Sequence, residues 1–162
     1  MTPLISVLAI ANLTALAWCD LRERRLPNAA VAAYALLWLA VVVYSQLEFS
    51  QLLHHALVAG LGFIIMFALY AVGAMGGGDV KLGTVVCAWA GPASAMQVVS
   101  IICISGMVLA LLGLLSDRLV TCRSVSGVGP FRRIARALSA KRGVPYGIAL
   151  SLGGVAALPE YW

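Results

Sequence analysis

Apolar residues run along this chain in long blocks separated by short polar breaks, and each block of about 20 is the length a helix needs to cross the hydrocarbon of a bilayer. Reading blocks and breaks in order predicts membrane helices over Pro3 to Cys19, Ala29 to Leu47, Ala56 to Ala74, Val80 to Ala90, Ala93 to Leu115 and Val144 to Leu158. The fourth is too short to cross alone at about 1.5 Å per residue. It reads as a half-depth or strongly tilted helix stopped by Gly91-Pro92. The expected fold is an all-α, polytopic bundle of about six membrane helices, one domain over residues 1–162, with a basic loop at 116–143.

Composition agrees with a bilayer as solvent. The 162 residues are 62% hydrophobic and 10% charged, with a mean hydropathy of +1.00, far outside the soluble range. A net charge of +5 in a soluble chain would suggest nucleic acid, but these charges sit in the breaks, where topology explains them and no nucleic-acid partner is called for. All 11 basic residues fall on one side of the alternation: Arg22, Arg24 and Arg25, then Lys81, then Arg118 to Arg142. The opposite breaks, Ser45 to His55 and Gly91-Pro92, hold none. The positive-inside rule therefore puts the basic loops in the cytoplasm and the N-terminus outside. No Lys or Arg precedes Arg22, so the first block reads as a retained span and not a cleaved signal. In the long loop, Phe131, Ile134 and Leu138 share one helical face and Arg132, Arg133 and Arg136 the other, which suits either an interfacial helix on anionic headgroups or a basic loop that only sets topology.

Acidic residues are scarce, and two of the six stand out by position. Asp20 and Asp79 lie at cytoplasmic edges of apolar blocks, Asp79 at the cap of the fourth helix. A carboxylate at a membrane boundary is costly to keep ionised and marks a candidate functional site. Two carboxylates brought together share one proton: the ionised member draws a proton from an attacking water while the protonated one donates to the substrate. Helix capping and topology account for an isolated pair equally well. The surroundings favour chemistry. In Gly76-Gly77-Gly78-Asp79 the glycines strip side chains from beside a carboxylate, so substrate backbone has room to approach. Glu48, Asp117 and Glu160 look solvated, and Glu23 is flanked by arginines. Cys19, Cys87, Cys103 and Cys122 show no Cys-x-x-Cys spacing. His54 and His55 fall in the predicted outer loop and read as interfacial, so neither metal nor cofactor is expected.

Gly76-Gly77-Gly78-Asp79-Val80-Lys81-Leu82 resembles the Gly-x-Gly-Asp motif of membrane aspartic peptidases. Cys19 to Asn28, an Asp followed by Pro27-Asn28, is similar to the other catalytic segment of the type IV prepilin peptidases. Val144-Pro145-Tyr146-Gly147 resembles the Pro-Tyr-Gly entry to their last span. The resemblance implies Asp20 and Asp79 as catalytic acids, Gly76 and Gly78 as residues shaping the site, and Lys81 as a basic residue near a carboxylate or a substrate group, although Lys81 is as well explained as a topology charge. It implies a prepilin as protein substrate, cleaved at the cytoplasmic face of the inner membrane. The paired Cys-x-x-Cys and extra N-terminal sequence of larger members are lacking, so cleavage without N-methylation is expected, as in the short forms of tight-adherence (Flp) pilus systems. A rival reading is a non-catalytic transport or secretion-assembly subunit whose boundary acids bind a proton or cation. The oligomeric state is not legible.

Overall fold

The computed structural model describes residues 2–122 and 145–158. The expected loop at 116–143, its amphipathic face included, and the terminal Tyr161 and Trp162 lie largely or wholly outside the described residues. Within them the chain is helical without strands: α1 Thr2–Glu23, α2 Asn28–Ser45, α3 Phe49–Ala71, α4 Gly77–Cys122 and α5 Tyr146–Ala156. Four of these, α1 to α4, are long and apolar enough to cross a membrane, while α5 is a shorter apolar helix. Large apolar side chains such as Leu57, Leu61, Ile64, Ile104 and Met107 stand exposed along α3 and α4, as a lipid solvent permits.

The helix ends follow local chemistry. Arg24 adopts a left-handed conformation (φ 54°) just past α1, and its N–H bonds the Asp20 carbonyl at 3.0 Å, a common way to close a last turn. Gln46 does the same past α2 (φ 49°). The α2–α3 break is then only residues 46–48, because Glu48 and Gln51 form a reciprocal capping box. The Glu48 N–H donates to Gln51 Oε1 at 3.0 Å. Helix α3 therefore starts at Phe49, seven residues before the apolar block that predicted it, and His54 and His55 lie on a helix instead of in a loop.

Predicted helices four and five form one hydrogen-bonded run, α4, broken in direction at Gly91 (φ 55°, ψ −169°) with Pro92 behind it. Those angles are accessible almost only to glycine. Pro92 has no N–H, so the Ala88 carbonyl loses its usual partner four residues on. His55 replaces it: Nδ1 lies 2.7 Å from Ala88 O. A carbonyl only accepts, so Nδ1 carries the hydrogen. The ring sits so close to the bend that a Cβ on Gly91 would come within 2.7 Å of His55 Nε2.

The arm before the bend is the centre of the bundle. Val80, Leu82, Val86, Cys87, Trp89 and Ala90 are all buried on this 14-residue arm of about 21 Å. Tyr34 of α2, fully buried, stacks on Trp89 (centroids 5.3 Å apart) and donates its hydroxyl to the Gly154 carbonyl of α5 at 3.3 Å. Helices α2 and α3 each lean on α4 more than on one another.

Candidate active site

Asp20 is in the last turn of α1 and Asp79 in the first turn of α4. The second placement departs from the expected cap. Gly76 O accepts the N–H groups of Asp79 (3.0 Å) and Val80 (3.2 Å), so the turn nucleates three residues earlier and carries Asp79 inside the helix. The two carboxylates, 59 positions apart in the chain (79 − 20), lie near enough for the charge of Asp20 to act on Asp79.

Small residues let the start of α4 pack closely here. A Cβ on Gly78 would lie 3.2 Å from Leu26 Cβ, so the start of α4 rests directly on the short connection that follows Asp20. Gly76 faces Asp79 itself: a Cβ there would stand 3.0 Å from Asp79 Oδ2. Asp79 is half-buried. Asp20 is deeper, 6% exposed, with the Arg24 charge near it.

One partner of Asp20 was not legible as such in the sequence. The Gly147 N–H of α5 donates to Asp20 Oδ2 at 2.9 Å, a bond between residues 127 positions apart. The Pro-Tyr-Gly stretch signalled a helix entry but gave no sign of which residue it meets.

Lys81 points elsewhere. Its Nζ donates to Asn28 Oδ1 at 3.1 Å, at the start of α2. The two residues stand at the polar end of a groove of about 450 Å³ lined otherwise by apolar and small side chains, including Val31, Ala35, Phe63 and Thr84. The groove runs between α2 and α3 with α4 as its floor. Cys19, Cys87 and Cys103 are free thiols.

Helical architecture and apolar surface define a membrane protein that carries two acids near the ends of different helices. The sequence model of the Type IV leader peptidase family matches residues 7–111, a stretch that contains both acids. The chain belongs to that family, a family of peptidases. No curated protein and no solved structure matches it.

Proposed function

We propose that the protein is an aspartic endopeptidase that cleaves the leader of Flp-type prepilins or pseudopilins at the cytoplasmic boundary of the inner membrane, without methylating the new N-terminus. The observation that carries this reading is membership of the leader peptidase family in a chain whose Asp20 and Asp79, on different helices, lie near enough for the charge of one to act on the other. With one proton between them, the ionised carboxylate takes a proton from water as its oxygen attacks the scissile carbonyl. The protonated one donates to the carbonyl oxygen, and collapse of the tetrahedral intermediate returns a proton to the leaving amine. One water is consumed and two peptide ends result.

We assign an extended substrate segment to the exposed backbone of Gly76, beside Asp79. We assign the groove beside Lys81 and Asn28 to the apolar helix of the substrate, with Lys81 at its polar end. The one-sided distribution of basic residues supports a cytoplasmic site and an external N-terminus. Co-expression with an Flp-type pilin precursor tests the reading: Asp20→Asn and Asp79→Asn should each leave the precursor full length. Normal processing by either variant rules out the dyad.

A further inference from the structure

We propose that the first turn of α5 is part of the catalytic apparatus, with Gly147 as the positioning residue that sets the Asp20 carboxylate. The inference rests on the aspartic-dyad reading and concerns a residue outside the segment matched by the family.

Helix α5 begins with one local bond, the Ile148 N–H donating to the Pro145 carbonyl at 3.3 Å. Its cap position is Pro145, which makes no side-chain capping bond, so the earlier N–H groups need acceptors from elsewhere. Asp20 supplies one. Its Oδ2 accepts from Gly147 at 2.9 Å. The donor is itself held in place: Ser151 donates to the Gly147 carbonyl at 2.7 Å, and Pro145, Gly147 and Ser151 are all buried. A side-chain carboxylate near the end of α1 is thereby tied to a rigid turn that arrives from the far end of the chain.

The contact requires glycine for reasons of space. A Cβ on residue 147 would stand 2.8 Å from Asp20 Cγ, 2.9 Å from its Cβ and 2.9 Å from Oδ2. Ordinary carbon contacts lie near 3.5–4.0 Å, so the carboxylate or the turn would have to shift by roughly 1 Å. Most of that strain falls on Asp20, because its Cβ, Cγ and Oδ2 are the three atoms met first. The three heavy atoms nearest a Cβ on Gly147 all belong to Asp20, and its N–H bonds the same residue, so it acts through Asp20.

Two measurements on the full chain in lipid-containing micelles test this. The first is kcat and KM for pilin-precursor cleavage by Gly147→Ala, normalised to folded protein. A shift of about 1 Å in a catalytic group can cost on the order of 100-fold in rate, so kcat should fall by about that factor with KM unchanged. The second is the thermal midpoint of Gly147→Ala in the parent and in an Asp20→Gly background. The loss seen in the parent should disappear when Asp20 is shortened. A variant that folds only in the Asp20→Gly background gives the same coupling in stronger form. Parental kcat in Gly147→Ala, or an equal midpoint loss in both backgrounds, overturns the positioning role. Full activity in Asp20→Asn overturns the dyad itself, a different outcome from an active Gly147→Ala beside an inactive Asp20→Asn.

Discussion

Replacing His55 by Phe tests how the break in α4 is held. The substitution keeps a ring beside Trp38, whose centroid lies 6.4 Å away, and removes the N–H that bonds Ala88 O at 2.7 Å. Ala88 is buried, and Pro92 cannot supply the missing hydrogen. The carbonyl would be left without its donor inside the protein, where water does not compensate. Stranding a buried polar group costs about 1–3 kcal/mol. Double-mutant cycles in a helical membrane protein average only about 0.6 kcal/mol per hydrogen bond, because the unfolded state in lipid also finds partners. The larger figure applies where the group left behind in the folded state is a buried backbone carbonyl, as at Ala88. We therefore expect a loss of about 1–3 kcal/mol, a change of roughly 5- to 150-fold in the unfolding equilibrium. Equilibrium unfolding in mixed lipid–detergent micelles, followed by helical circular dichroism, measures it. His55→Gln, which restores an N–H donor, should recover part of the loss. An unfolding free energy for His55→Phe within about 0.3 kcal/mol of the parent, the scatter expected of independent sites, would refute this account of the bend.

Tyr34→Phe removes the hydroxyl that meets Gly154 O at 3.3 Å while the stack on Trp89 survives. At that length the bond is weak, and the same unfolding measurement should show a loss of about 0.5–1 kcal/mol. Orientation is open to labelling: a cysteine introduced beside Glu48 should react with an impermeant reagent added to intact cells, and one beside Arg132 should not. Reaction at the second site would reverse the topology.

Much of the candidate site could be read without coordinates, because the bilayer makes sequence unusually informative. A solvent that accepts no charge forces apolar blocks of fixed length, so α1, α2 and the two arms of α4 lie close to the blocks that predicted them. The same penalty makes Asp20 and Asp79 conspicuous. Local rules reached further than the apolar pattern alone: the Glu48–Gln51 box starts α3 seven residues before its apolar block, which moves His55 from an expected surface loop into the core. Gly76 as the first acceptor shifts Asp79 one turn into α4.

Sequence by itself determined that this chain is a helical membrane protein of the Type IV leader peptidase family, where its backbone must break at Gly91-Pro92, and which two acids are candidates for chemistry. Those are properties of short stretches meeting a uniform solvent. Only the tertiary structure decided that Gly147 holds Asp20, that His55 serves the Ala88 carbonyl, and that Lys81 turns to Asn28. Each of these contacts joins residues 33 to 127 positions apart, and hydrogen bonds of that reach depend on how helices pack, which no periodicity along one helix encodes.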